Sequence, residues 1–162
     1  MVHTAPERMV CEAASYVFGE LMRATAGFPS ETCVRRLLAA ELNDRGVAVQ
    51  EEMPVSLLAR TSSGRIVVLG SNRIDIMLEF PTEVPSAYCS AALGLELKVG
   101  PMGQVARASA LAQTRRYCRQ LGVDFVLLHF QTTGVTADLI RWQEPISPTP
   151  GAEPTPLASE SN

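Results

Sequence analysis

The spacing of apolar residues predicts two helices at the start of the chain. Over residues 6–26, apolar positions recur every three or four residues, which is the period of an α-helix that buries one face. A second run of this period begins after Ser30, a residue type that often caps helix N-termini, and continues to Arg45, where Gly46 ends it. We therefore expect two amphipathic helices joined by a short connection.

The pattern then changes to the alternation typical of β-strands, interrupted by one further helix. The predicted strands occupy residues 47–59, 65–69, 73–80, 94–100, 123–130 and 135–142. Gly70, Ser71 and Asn72 predict a turn between the second and third strands. A loop is expected over residues 81–90 and a helix over residues 104–121. The order of elements predicts an α/β fold.

The strand at residues 94–100 carries an unusual pair of charges. Leu95, Leu97 and Val99 alternate with Glu96 and Lys98, so the apolar residues share one face and the charged residues share the other. Lys98 is the only lysine among the 14 basic residues of the chain. The pKa of a lysine responds to its surroundings, and arginine does not replace lysine in chemistry. The pair is interpreted either as a solvated ion pair or as a catalytic pair.

The preceding strand carries another carboxylate. Alternation predicts that Ile74 and Ile76 share one face of this strand and that Asp75 lies on the other. Two consecutive strands joined by a loop usually pair in an antiparallel manner. That pairing would bring Asp75 beside Glu96 and Lys98.

The helix at residues 104–121 is strongly basic. It has no acidic residue and carries four arginines, namely Arg107, Arg115, Arg116 and Arg119. A helical wheel places Gln113 at the edge of the apolar face, one turn before Tyr117, and places Arg116 on the same side as Gln113. An exposed helix face is by itself a strong explanation for the arginines.

The charge of the chain is unevenly distributed. The net charge is −3, but residues 144–162 contain three glutamates, five prolines and no basic residue. Without this segment, acidic and basic residues are equal in number, so any basic patch must be local. We expect one folded domain over residues 1–143, followed by a disordered, proline-rich, acidic tail over residues 144–162.

The cysteines and the apolar runs exclude several classes of protein. The four cysteines, Cys11, Cys33, Cys89 and Cys118, are scattered without a Cys-x-x-Cys motif, which argues against a structural zinc site. We expect reduced, buried thiols in a cytoplasmic protein, with Cys33 and Cys118 as packing residues. No apolar run approaches the ~18 residues that a membrane-spanning helix needs, and no signal peptide is evident.

The ordered set Arg73-Ile74-Asp75, Glu96-Leu97-Lys98 and Gln113-x-x-x-Tyr117 resembles the PD-(D/E)xK nuclease superfamily. Within the superfamily, the chain is most similar to the small bacterial proteins of the GxxExxY family, and the resemblance covers roughly residues 13–142. It implies a restriction-endonuclease-like core, in which helices flank a mixed central β-sheet. It also implies a metal-dependent hydrolase that cleaves phosphodiester bonds in nucleic acid, with DNA as the first expectation and RNA as the alternative.

The resemblance also implies the catalytic residues. Asp75 and Glu96 would bind Mg²⁺ or Mn²⁺, with the backbone carbonyl of Leu97 as a third ligand, because these metals prefer oxygen ligands. Lys98 would orient the attacking water or stabilise developing negative charge. Gln113 would orient Lys98, the water or a phosphate.

Further residues would complete the site. Arg116 and Tyr117 would contact nucleic acid. In the family, a glutamate lies on the helix before the sheet, and the resemblance implies Glu31 for this role. The spacing from the preceding glycine is one residue longer here, so Glu41 is an alternative. A domain of this size is expected to need a second copy of itself or a protein partner to hold a duplex.

Two other functions remain open from the sequence. The chain could be an inactive nuclease-fold module that binds nucleic acid or protein, since its folded part is electrically neutral. It could also be a small-molecule enzyme on an unrelated α/β fold. That reading needs a pocket base, and His129, which lies in the apolar pattern of a buried strand, is expected to be a core residue.

Overall fold

The structure, a computed structural model, describes residues 5–24, 29–81 and 92–143. The described residues form three helices and five strands in the order α1 (Ala5–Ala24), α2 (Glu31–Asp44), β1 (Ala48–Arg60), β2 (Ile66–Glu79), β3 (Ala92–Val99), α3 (Gln104–Leu121), β4 (Asp124–Gln131) and β5 (Gly134–Ile140). The predicted α/β fold is confirmed. The predicted tail and most of the predicted 81–90 loop, with Cys89, lie outside the described residues.

The strands form one mixed sheet in the order β1-β2-β3-β4-β5. Neighbouring strands are antiparallel except β3 and β4, which are parallel. A parallel pair needs a long crossover connection, and α3 supplies it. β3 and β4 are the most buried strands, and for β4 this agrees with the prediction from the almost continuous apolar run at residues 123–130.

Helices cover both faces of the sheet. The apolar sides of α1 and α2 pack on one face, where Leu95 and Leu97 of β3 join a large core, with Val99 at its edge. On the other face, Tyr117 of α3 packs against Phe125 of β4 in a second, smaller core. Because side chains alternate along a strand, Glu96 and Lys98 belong to the α3 side of the sheet.

The predicted turn at residues 70–72 is wrong, because β2 continues through it. β1 is long enough to pair with the whole of β2, so the backbone of these residues joins a ladder instead of reversing direction. The register shifts where Leu57 pairs with Gly70 and Leu58 pairs with Val68. Leu69 is therefore the extra residue of a β-bulge. Glycine is common both at bulges and in turns, so Gly70 is consistent with either.

The prediction that Ile74 and Ile76 share a face is also wrong. Ile74 packs in the core under α3, whereas Ile76 packs in the core under α1 and α2. On β1, Glu52 lies between the residues that pair with Ile74 and Ile76 and has a positive φ of 50°. This left-handed residue breaks the alternation of β1 opposite Asp75, and both strands change the face that they bury at this point.

The thiols only partly follow the prediction. Cys11, Cys33 and Cys118 are free, but only Cys118 is buried. The prediction of Cys33 as a packing residue is wrong, because it lies on an exposed side of α2. His129 is buried in β4, as expected. In the described part of the chain, no helix has the length and apolar character needed to cross a membrane.

The close packing of β3 on β4 gives a test of the fold. A Cβ atom on Gly94 would overlap the buried ring of Phe125. We expect Gly94→Ala to lower the free energy of unfolding by about 1–3 kcal/mol, because the ring cannot move without disturbing the core. Urea unfolding would measure the loss. Gly70→Ala is the control, since a Cβ there meets nothing within 4 Å. An equal loss in both variants would contradict the described packing.

Candidate active site

The site is organised where β2 separates from β3. The ladder between the two strands ends at the pair Ile76 and Leu95. Beyond it, the backbone N–H of Leu97 donates a hydrogen bond of 2.7 Å to Oδ2 of Asp75. The Asp75 side chain thus takes the place of a backbone carbonyl and lies beside Glu96, as the sequence predicted.

Glu96 is a buried carboxylate with one unsatisfied oxygen. Its residue is 3% exposed, and Oε1 accepts a hydrogen bond of 3.2 Å from Nζ of Lys98. Oε2 is buried and has no hydrogen-bond partner among the described residues. Burial, and then the negative charge of Asp75, raise the pKa of Glu96 to about 7.

Lys98 links Glu96 to the backbone. Its Nζ also donates a hydrogen bond of 2.9 Å to the carbonyl oxygen of Leu97, the predicted third metal ligand. Burial lowers the pKa of Lys98, but the carboxylates of Glu96, Glu31 and Asp75 outweigh burial and raise it above its ordinary value. The amine therefore stays charged, and two of its three N–H groups are engaged.

Of the two candidate helix glutamates, Glu31 is the one at the site. It lies in the first turn of α2, whose N-terminus is capped by Ser30 as predicted. Burial raises the pKa of Glu31. The charge of Lys98 lowers this pKa, and the charge of Asp75 raises it. Glu41, by contrast, forms an ion pair of 2.7 Å with Arg45 at the far end of the same helix.

Two residues of the cluster were missed from the sequence. Arg35, only 12% exposed at its side chain, forms ion pairs with Glu51 at 3.4 Å and Glu52 at 3.3 Å. Burial raises the pKa of Glu31 and of Asp75, and the positive charge of Arg35 partly opposes this by lowering both. The available signal was that Arg35 follows Glu31 by one helical turn. Glu52 carries no such signal, because its position depends on the pairing of β1 with β2.

A cleft of about 320 Å³ adjoins Lys98. It lies between the end of β3 and α3, and its walls include Lys98, Pro101, Met102 and Gln113. The structure therefore brings Gln113 to the same cleft as Lys98, as expected.

Tyr117 does not have the predicted role. It is 0% exposed, so its side chain offers no surface to a nucleic acid, and that prediction is wrong. The hydroxyl accepts a hydrogen bond of 2.7 Å from Nε2 of Gln113, and the ring lies 6.1 Å from that of Phe125. Through this hydrogen bond, the buried Tyr117 positions the side chain of Gln113. Its burial follows from the apolar face of α3, on which it lies.

The arginines of α3 are in different states. Nη2 of Arg107 contacts both carboxylate oxygens of Asp138, at 2.9 and 2.8 Å. Arg116 is exposed and has no carboxylate within 4.0 Å among the described residues. Arg116 therefore stays available for the predicted phosphate contact, whereas Arg107 is already neutralised.

The carboxylates of the site bear on whether it could hold a divalent cation. No group of three or more Asp, Glu, His or Cys side chains in the described ranges is arranged to hold a metal. Mg²⁺, however, is commonly bound by one or two carboxylates and keeps several waters. Asp75 and the unpartnered Oε2 of Glu96 match that requirement, so the residues fit a largely hydrated ion.

Comparison with known proteins adds no assignment. No family model and no curated protein matches the chain. Among solved structures, the crystal structure of SSO0001 aligns with 86% of this chain and 78% of that chain, at 8% sequence identity and a TM-score of 0.39. Since a likeness of that strength carries no argument, the site is interpreted from its own geometry.

The raised pKa of Glu96 predicts a pH dependence of stability without metal. At pH values between 4.5, the ordinary pKa of this carboxyl, and about 7, its pKa in the folded state, Glu96 holds its proton in the folded state but loses it in the unfolded state. The free energy of unfolding should therefore fall as pH rises through this window and level off above it. Glu96→Gln should remove on the order of 3 kcal/mol of that fall.

Urea unfolding from pH 4 to 8 in EDTA would measure this difference. Glu79→Gln, which changes an exposed glutamate on β2, is the control and should keep the wild-type slope. An identical slope in Glu96→Gln and wild type would show that Glu96 is not buried as described.

Proposed function

We propose that this protein is a metal-dependent nuclease of the PD-(D/E)xK type, which hydrolyses phosphodiester bonds in nucleic acid. The observation that carries the proposal is the buried Oε2 of Glu96, which has no hydrogen-bond partner among the described residues, in a carboxylate that contacts Lys98 and is acted on by the charge of Asp75. A buried carboxylate oxygen without a partner is costly, and a cation removes that cost. Lys98, the only lysine in the sequence, contacts this carboxylate, and lysine is the residue type that the proposed chemistry requires.

Each residue has a role that follows from its position. Asp75 and Glu96 would hold Mg²⁺ or Mn²⁺, with the Leu97 carbonyl alongside. When bound, the ion would supply positive charge to offset that of the phosphate and would lower the pKa of a water. Lys98 stays protonated and has one N–H free to donate to a water or a phosphate oxygen. Gln113, held by Tyr117, lines the same cleft and would bind the substrate there.

The wider setting supports the same proposal. The mixed sheet flanked by helices is compatible with a restriction-endonuclease-like core, and the order of site residues along the chain is that of the GxxExxY family. Arg116, which has no carboxylate within 4.0 Å in the described part of the chain, would supply a cation for a DNA or RNA phosphate. We infer action in the cytoplasm from the free thiols of Cys11, Cys33 and Cys118. A homodimer or a protein partner would extend the small binding surface.

A second candidate is a nuclease-fold module that binds without turnover. The observation in its favour is that Lys98 contacts both the Glu96 carboxylate, through Oε1, and the carbonyl of Leu97, the proposed third metal ligand. In that case the amine serves as a permanent internal counter-ion. The two candidates differ in whether Mg²⁺ or Mn²⁺ binds at the carboxylates.

Removing Asp75 distinguishes the candidates. Asp75→Ala should weaken Mn²⁺ binding, measured by titration calorimetry, by at least about 100-fold, because even indirect changes at metal sites cost 10–100-fold. Cleavage of single-stranded and duplex DNA and RNA in Mg²⁺ or Mn²⁺ should be lost in parallel. Glu79→Ala, on the same strand, is the control and should bind and cleave as wild type does. Equal metal binding by Asp75→Ala and wild type would contradict the proposed site.

Removing the charge of Lys98 tests the catalytic step. Lys98→Ala should reduce the cleavage rate by roughly 10²–10³-fold, as the loss of a group that stabilises transition-state charge does. Metal should still bind, because both carboxylates remain. The control is Arg36→Ala, which removes an exposed cation from α2. Full cleavage by Lys98→Ala would rule out the proposed mechanism even if the metal site exists.

A further inference from the structure

A second, larger cleft lies on the opposite flank of α3. Its volume is about 520 Å³, and its lining combines charged, aromatic and aliphatic side chains, including Arg115, Arg119, Leu139 and Trp142. It lies between the C-terminal half of α3 and the end of β5, away from the carboxylates of the candidate active site. The proposed catalytic roles use none of its residues.

The arginines of this cleft are available for a ligand. Arg115 and Arg119 are exposed and have no carboxylate within 4.0 Å among the described residues. Arg141, by contrast, contacts Oδ2 of Asp124 at 2.9 Å and also Glu7, so its charge is compensated. The cleft therefore has two uncompensated positive charges, one helical turn apart.

Trp142 is held in place at the edge of the cleft. Its backbone N–H donates a hydrogen bond of 2.7 Å to Oδ1 of Asp124. Its ring packs over Gly122, where an added Cβ would lie 3.6 Å from the ring. The side chain is nevertheless 39% exposed. An anchored and partly exposed indole beside free arginines is the combination by which proteins bind single-stranded nucleic acid.

We propose that this cleft binds a single-stranded segment of nucleic acid, with a base stacked on Trp142 and phosphates on Arg115 and Arg119. Stacking on an indole requires an unpaired base, so single strands should bind better than duplexes. The inference deepens the proposed nuclease function and rests on it, because it names the substrate class. Gln113 and Arg119 are about 9 Å apart along the axis of α3 but face different flanks, so a strand that reached both clefts would cross the outer side of the helix.

Trp142 provides a direct probe, because it is the only tryptophan of the chain. Titration of the full chain with oligothymidylate of twelve residues, in EDTA to prevent cleavage, should quench its fluorescence. Affinity for the labelled oligonucleotide is measured by fluorescence anisotropy. Arg115→Ala with Arg119→Ala should weaken binding about tenfold or more and flatten its salt dependence.

Matched variants separate the cleft from general charge effects. Arg8→Ala with Arg36→Ala removes the same charge from exposed positions on α1 and α2 and should leave affinity near that of wild type. Trp142→Ala should weaken binding about fivefold or more, whereas Trp142→Phe should retain most of the affinity. Circular dichroism would confirm that each variant is folded.

Several outcomes would overturn the inference. These are unchanged Trp142 fluorescence, equal effects of the two arginine pairs, equal affinity for a twelve-base-pair duplex, or quenching by polyglutamate but not by oligothymidylate. The last would indicate an acidic protein partner instead. Because the titration is done without metal, oligothymidylate binding at this cleft in a protein that shows no cleavage in Mg²⁺ would refute the nuclease proposal and not the binding site.

Discussion

The hydrogen bond from the Leu97 N–H to Asp75 is the constraint on which the candidate site depends. At this point the backbone ladder between β2 and β3 has ended, and the Asp75 side chain satisfies a buried donor. The bond fixes the Asp75 carboxylate beside Glu96. Opposite Asp75 on β1, Glu52 has a positive φ, a strained conformation for a residue with a side chain. The irregular backbone at Glu52 therefore lies at the same point of the sheet as the carboxylate of Asp75.

The second feature is the balance of charge in a partly buried cluster. Burying ions costs several kcal/mol each unless they are paired. Lys98 and Arg35 compensate some of the carboxylates, but Oε2 of Glu96 has no partner in the described part of the chain. We propose that a divalent cation would stabilise this site, because it would add positive charge where a hydrogen bond is missing. The chemistry that we propose uses the same imbalance.

The sequence predicted most parts of the fold that depend on local pattern, but not the change of buried face between Ile74 and Ile76. The alternation of β3 placed Leu95 and Leu97 in the core and Glu96 and Lys98 together on the other side. It did not predict that β2 continues through Gly70, because a long partner strand overrides a local turn preference. Arg35 and Glu52 were missed for a similar reason. Which charges meet at this site depends on pairing and packing between distant segments, which a single sequence does not display.

The most direct test of the central claim is anomalous X-ray diffraction from crystals soaked in Mn²⁺, an ion that accepts the same oxygen ligands as Mg²⁺. The account predicts an anomalous peak between the carboxylates of Asp75 and Glu96 in wild type, and no peak there in Asp75→Ala. Peaks confined to other surfaces, with the amine of Lys98 still bound to Glu96, would contradict the account. The cluster would then be a self-neutralised ion network in a binding protein.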